Sequence, residues 1–301
     1  AVQDAVLNAG ATVIGWDLIL PTSAATYVAD RNFDRPLLQS LARGAQNGRI
    51  VLGMADIGVS PIKPHTLYTW AAGGATNLRL LNVVPDPDGV VRRVPVSFLT
   101  HGQAQKEGRT PSFARELAQR HLDDEFTLSP EDTLSLKGNP VSGVRNGAIL
   151  LNFDANASNV PTFSLADLHA CLSAGKTEFF KRHFAQKTVL IGLVLDIEDR
   201  KLSSARLFTG GAPPGPVTGC VTPPSSLSLG NNDRATLPGV YLHAVAINNL
   251  IQGSGLETLS PPLLHLPSLF SSVFAALAAG FLSLPVSTAV IAFGGAAWPL
   301  T

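Results

Sequence analysis

The stretch Thr188–Arg200, TVLIGLVLDIEDR, decides the fold that the sequence predicts. An apolar run, Val189–Ile191, leads into Gly192, and a charged group follows it. A short run rich in β-branched residues is typical of a buried central strand in an α/β sheet. Ligands of open α/β sheets bind in the crevice beyond the carboxyl ends of the strands. The stretch therefore places polar side chains at the predicted binding edge.

Helical and strand patterns alternate along much of the chain, which indicates a parallel sheet with crossover helices. Further strands are predicted at Thr12–Trp16, Arg49–Met54 and Ala148–Phe153, and helices at 1–10, 33–43, 112–122, 164–172, 177–184 and 239–251. Asn77–Val84 and Val90–Leu99 are predicted to pair as a β-hairpin, because Gly89 tolerates the positive φ of a tight turn. The predicted fold is mixed α/β, with a mainly parallel sheet, flanking helices and a β-hairpin.

Composition and motifs exclude several classes of function. The chain has 22 basic and 22 acidic residues, so no net charge draws it to nucleic acid. Phosphate-binding glycine loops, nucleophile elbows and zinc-protease motifs are absent from the sequence. We therefore expect no cofactor, no metal and no catalytic residue in this chain.

The last 44 residues, 258–301, contain no Asp, Glu, Lys or Arg. Within them Leu266–Leu284 has the length of a membrane-crossing helix, and small residues are spaced for close helix contact. The alternative is a buried helix or hairpin of a soluble protein. We expect a domain over 1–257 and a transmembrane region over 258–301, with one full span and a second, truncated span. The beginning, which has no methionine, is expected to be truncated as well.

Charged residues near strand ends form the candidate site. The candidates at the edge of the sheet are Asp17, Asp196, Asp199, Arg200 and Arg206, with Arg92 from the predicted hairpin. Such a group is suited to binding a cation or small polar ligand, to acid–base work, or to structural ion pairing. Catalysis has the least support, because no nucleophile or metal set accompanies these residues. Arg92 and Arg93 are adjacent, so in a strand they face opposite sides.

The two cysteines, Cys171 and Cys220, leave two interpretations open. They form one disulfide in an oxidising compartment, or they are unrelated buried thiols. Cys220 lies in Leu207–Pro238, a stretch rich in Gly, Pro, Ser and Thr that is predicted to be a lid or a mobile loop. His243 and His169 fall on apolar helix faces and are interpreted as core histidines.

With these residues in view, the chain resembles the CHASE sensor domains of the second type, extracytoplasmic input modules of bacterial membrane signalling proteins. The matching segments are GATVIGWDLIL (10–20), NVVPDPDGVVRRVP (82–95), PSFARELA (111–118), ILLNF (149–153), TFSLADL (162–168), VLIGLVLDIEDRK (189–201) and LPGVYLHAVAINNLI (237–251). They agree in order and spacing over most of the chain. A first transmembrane helix, the strand after it and an output domain, all usual in the family, have no counterpart in this sequence.

The resemblance implies a sensor outside the cytoplasmic membrane, followed by membrane helices and often by an adenylate or guanylate cyclase, sometimes by a protein kinase. It implies a disulfide between Cys171 and Cys220, because an extracytoplasmic compartment is oxidising. It assigns no ligand-binding residues. Three interpretations follow: a receptor for an unknown small ligand, a homodimerising interaction module without a ligand, and an extracytoplasmic enzyme using Asp196 and Asp199.

Overall fold

The computed structural model describes residues 1–58, 60–100, 108–153, 160–194, 200–204, 219–221, 236–258 and 268–277. The chain forms two compact units, Ala1–Leu256 and Glu257–Thr301. The helices of the first unit are α1 Val2–Asn8, α2 Arg35–Gln46, α3 Thr66–Ala71, α4 Phe113–Leu122, α5 Leu165–Ser173, α6 Thr177–Phe184 and α7 Gly239–Gln252. Its strands are β1 Val13–Asp17, β2 Ile50–Asp56, β3 Pro61–Ile62, β4 Leu78–Leu80, β5 Arg93–Pro95, β6 Ser97–Thr100, β7 Gly108–Pro111, β8 Phe126–Leu128, β9 Leu134–Leu136, β10 Asn139–Pro140, β11 Val144–Arg145, β12 Ala148–Leu150, β13 Thr188–Gly192, β14 Arg200–Leu202 and β15 Thr236–Pro238.

The main sheet is mostly parallel, as predicted. Its strands run in the order β13-β1-β2, and both β4 and β3 pair with β2. Strands β13, β1, β2 and β4 are parallel, whereas β3 pairs antiparallel with the end of β2. Because parallel strands end at one edge, the carboxyl ends of β13, β1, β2 and β4 lie together there.

Alternate side chains of the sheet belong to two separate apolar layers, as the two-residue period of a strand requires. Val13 and Val51 pack in one core with residues of α4 and α7. Ile14, Ile50 and Leu52 pack in the other core with residues of α1, α2, α5 and α6. The sheet is therefore covered on both faces, which explains why its strands are apolar rather than alternating.

Close packing of α4 requires glycine at one position of the sheet. A Cβ atom on Gly15 would lie 2.5 Å from Leu117 Cδ1 and 2.7 Å from Phe113 Cζ. Both neighbours belong to α4, whose predicted N-cap Ser112 accepts a 3.3 Å hydrogen bond from the Arg115 backbone N–H. The sequence prediction of this helix and its cap is confirmed.

Two predictions about the sheet need correction. The sequence pattern predicts a central strand at Thr188–Gly192, but among the described residues this strand pairs only with β1, and its residues are half-buried. The central strands are β1 and β2. Its apolar run instead supplies residues to both cores, Leu190 to one and Val189 and Ile191 to the other.

The predicted hairpin over residues 77–99 is also wrong in its pairing. The turn forms, because the Gly89 N–H donates to the Asp86 carbonyl at 2.8 Å. However, β4 joins β2 in the main sheet, and β5 pairs with β12 in a separate three-stranded sheet. Each flanking strand finds a partner that is distant in sequence, which a local turn signal does not reveal.

A buried ion network joins α4 to the amino ends of the strands. Glu116 accepts from Arg79 Nη2 at 2.7 Å and from Arg120 Nη2 at 2.6 Å. Arg120 also donates to the Ile50 carbonyl at 3.0 Å and to Asn77 Oδ1 at 2.7 Å. The network therefore fixes one end of α4 to the starts of β2 and β4.

The second unit contains one described helix, residues 268–277. Its large apolar side chains are solvent-exposed at Leu269, Phe270, Val273, Phe274 and Leu277. Within the described ranges, no helix has the length and apolar character needed to cross a membrane. The rest of the predicted transmembrane region, 259–267 and 278–301, lies outside the described residues.

Candidate functional site

The carboxyl end of β1 holds a buried acid next to a buried histidine. Asp17 lies on the face of β1 that packs against α4 and α7, and its Oδ1 lies 3.9 Å from Nε2 of His243 on α7. The two side chains are only 5% and 4% exposed. His243 Nε2 lies 3.0 Å from the Leu81 carbonyl oxygen, and the ring meets Phe113 edge to face. Because a carbonyl oxygen only accepts, Nε2 carries the proton in this hydrogen bond.

The first turn of α7 rests directly on the end of β13. A Cβ atom on Gly192 would lie 2.7 Å from Val240 Cγ2 and 3.4 Å from the Asp17 carbonyl oxygen. No larger side chain fits there without moving the helix. Glycine at this position therefore allows α7 to approach the edge of the sheet where ligands of α/β proteins bind.

Arg200 lies in β14, which pairs antiparallel with β15 immediately before α7. Its Nε donates to Thr236 Oγ1 at 3.0 Å and its Nη2 to the Thr236 carbonyl at 2.6 Å. The backbone of the same segment accepts a 2.7 Å hydrogen bond from the Val91 N–H through the Leu202 carbonyl. Arg200 therefore fixes the segment that leads into α7.

Arg92 lies in an ion cluster with the turn that precedes it. It binds Asp86 at 3.0 Å and Asp88 at 2.7 Å, and Arg93 binds Asp86 at 2.7 Å. Both arginines therefore contact the same carboxylate, whereas a strand would have placed them on opposite faces. The hydrogen bond from Arg92 lowers the pKa of Asp88 to about 2. The ionised pair supports the turn above the ordinary pKa of the acid, and that support is lost as the pH falls through about 2.

Three predicted site residues, Asp196, Asp199 and Arg206, lie outside the described residues, as do Glu198 and most of Leu207–Pro238. Of the other three, Asp17 and Arg200 lie beside α7 and the segment before it, and Arg92 is bound by its own turn. The prediction that His243 is a hydrogen-bonded core histidine is confirmed, but its proximity to Asp17 was missed. His169, predicted to be a core residue too, is exposed on α5.

The described residues offer little else for chemistry. No three His, Cys, Asp or Glu side chains among them lie close enough together to hold a metal ion.

A narrow apolar pocket opens on the other face of the same sheet edge. It is lined by Trp16, Leu18, Leu20, Leu41, Leu52, Pro64 and Tyr68. Its lining is suited to apolar rather than ionic groups.

The disulfide implied by the resemblance is present. Cys171, fully buried in α5, is bonded to Cys220, with 5.5 Å between the Cα atoms. The adjacent Gly219 N–H donates to Asp167 Oδ1 at 3.3 Å. Residues 219–221 are thus attached to α5, and the bond fits an oxidising, extracellular compartment.

Comparison with known proteins gives one family. No curated protein and no solved structure matches the chain. The family model described as the CHASE2 domain matches residues 2–285, which is nearly the whole chain. The chain therefore belongs to the CHASE2 family, whose members are extracellular sensory domains.

Proposed function

We propose that this chain is the sensory input domain of a membrane-bound nucleotide cyclase receptor, and that it binds a small polar ligand at the carboxyl edge of its main sheet. Membership of an extracellular sensory family supports the role of an input domain. The Cys171–Cys220 disulfide supports an oxidising, extracytoplasmic compartment. The observation that carries the proposal is the position of α7. It packs on the candidate edge at its first turns and leads along the chain into the second unit.

Helix α7 has the properties of a relay element. At 14 residues it is about 20 Å long. Most of its residues are buried, so it moves as one body with little freedom to bend. It ends at Gly253, and the Ser254 N–H donates to the Asn249 carbonyl at 3.0 Å. A ligand that binds more tightly to one position of Val240 and His243 would shift the whole helix toward that position.

Attachment to the cytoplasmic membrane is part of the proposal, with residues 1–257 on the outer side. Residues 258–301 carry no charged side chain. In the helix 268–277, the hydroxyls of Ser271 and Ser272 donate to the Ser268 carbonyl at 2.9 and 2.7 Å. Hydroxyls bonded within their own helix do not need water, and the exposed apolar residues of this helix are suited to lipid.

A second candidate function, a homodimerising module without a ligand, has one observation in its favour. Leu67 and Trp70 lie three residues apart on α3 and are 46% and 82% exposed, while Tyr68 and Ala71 of the same helix are buried. Exposed aromatic residues of this kind are enriched at protein interfaces. In this version the domain would hold two output domains together.

The relay is tested by overpacking α7 with one methyl group. In membranes that contain the full-length receptor proposed here, Gly192→Ala should change the nucleotide cyclase activity about five-fold or more. Crowding against Val240 costs about 1–3 kcal/mol in the arrangement seen in this structure. Gly44→Ala is the matched control, since it overpacks α2 against Ile50 on the opposite face of the sheet, away from α7. Unchanged activity of Gly192→Ala, or equal changes in both variants at equal expression, would contradict the relay.

A further inference from the structure

Consecutive residues at the end of β1 make contacts on opposite faces of the sheet. Asp17 approaches His243 of α7 at 3.9 Å on one face. Trp16, its neighbour, points to the other face, where its Nε1–H donates to Gln3 Oε1 of α1 at 2.8 Å. Helices α1 and α7, the first and last of the α/β unit, therefore contact the same strand end.

The contact with α1 is part of a buried hydrogen-bond chain. Gln3 Nε2 donates to Ser40 Oγ of α2 at 2.9 Å, and Ser40 Oγ donates to Asp4 Oδ1 of α1 at 2.8 Å. Gln3 and Ser40 are 7% and 1% exposed. A buried amide has few substitutes for lost partners, so each bond in this chain restricts the position of the next. Trp16 is thereby fixed to α1 and α2 rather than only packed among apolar residues.

We infer that the carboxyl end of β1 couples α1 to α7, with Trp16 and Gln3 as positioning residues for the α7 relay. A shift of β1 that moves Asp17 against His243 also moves Trp16 against Gln3, because the two side chains share one peptide unit of an inextensible strand. The inference rests on the proposed function in one respect: the coupling would serve to relay a signal through α7. The coupling itself requires neither a ligand nor a membrane partner. Because energetic coupling between two sites is reciprocal, a change at α1 should affect α7 and a change at α7 should affect α1.

The test is hydrogen–deuterium exchange on the whole 301-residue chain in mild detergent. Trp16→Phe removes the Nε1–H and keeps an aromatic ring, and it should raise exchange about five-fold in α1 and also in α7, the factor that corresponds to one net hydrogen bond. Residues 126–136, in the β8–β9 pair, serve as the reference for global stability. The exposed Trp70→Phe is the matched control and should change neither helix.

The reciprocal variant, His243→Gln, should raise exchange in α1. If Trp16→Phe does not fold, Gln3→Met breaks the same hydrogen bond from the α1 side and should loosen α7. Faster exchange confined to α1 and α2, or an equal rise in the reference segment, would overturn the inference. Coupled exchange with no effect of Gly192→Ala on activity would instead leave the coupling intact and remove the proposed function.

Discussion

Replacing Glu116 with Gln is expected to lower the free energy of unfolding by about 3 kcal/mol. Glutamine has nearly the same size but carries no charge, so Arg79 and Arg120 would remain in the interior without a counter-ion. Their side chains are 13% and 18% exposed, so water compensates only in part. The loss falls at the lower end of the range for buried pairs, because both arginines keep bonds to backbone carbonyls.

Thermal unfolding of the first unit, followed by circular dichroism, measures the effect of this substitution. A loss of about 3 kcal/mol corresponds to a decrease in Tm of about 6–12 °C for a domain of this size. Glu131→Gln is the matched control, since Glu131 is exposed, and it should leave the Tm unchanged. Equal melting of the two variants would show that the network contributes nothing to the attachment of α4.

Removing the disulfide is expected to cost about 4 kcal/mol in the free energy of unfolding. The bond closes a loop of 49 residues, and loop entropy in the unfolded chain gives a loss of this size. The loop contains α6 and β13, so the bond also limits how far the edge strand beside β1 can separate. The Cys171→Ser variant should therefore unfold at a lower urea concentration than the unsubstituted chain.

The double variant Cys171→Ser/Cys220→Ser provides the control for the disulfide. Reductant should destabilise the unsubstituted chain and leave the double variant unaffected. If the unfolding midpoint of the unsubstituted chain does not change with reductant, the stabilising role of the bond is refuted. Alkylation of both cysteines in the unfolded chain without prior reduction would refute the bond itself.

Local patterns predicted six of the seven described helices of the first unit, because periodicity and capping act over one or two turns, but they missed α3 and the short strands β3, β7 to β11, β14 and β15. The helix Thr177–Phe184 has the predicted bounds, and α7 differs by one residue. Pairing was predicted less well, since it depends on partners far along the chain. The Asp88-Gly89 signal specifies a turn, yet nothing within those residues indicates that β5 pairs with β12. The apolar run of β13 has the composition of a central strand because both cores receive its side chains.

In the candidate site too, the sequence predicts local positions but not contacts between residues far apart in the chain. The rule for strand ends correctly placed Asp17 at the edge of the sheet, because it requires only the strand and its direction. The neighbour of Asp17 is His243, 226 positions later, and only tertiary packing of α7 on Gly192 brings them together. The Glu116 network was missed for the same reason, since Arg79 lies 37 residues away in sequence. The contacts of Arg92, in contrast, are local, because its carboxylate partners lie within six residues, in the turn itself.

An extracytoplasmic sensor must have this unit on the outer side of the cytoplasmic membrane, where an added surface thiol can be labelled from outside the cell. Glu131→Cys adds an exposed thiol to a chain in which both natural cysteines are bonded. In intact bacterial cells that express the full-length receptor with this substitution, a membrane-impermeant maleimide should label the variant, and the labelled protein should sediment with the membranes. Labelling only after lysis, or label in the soluble fraction, would contradict an extracytoplasmic sensor held at the membrane.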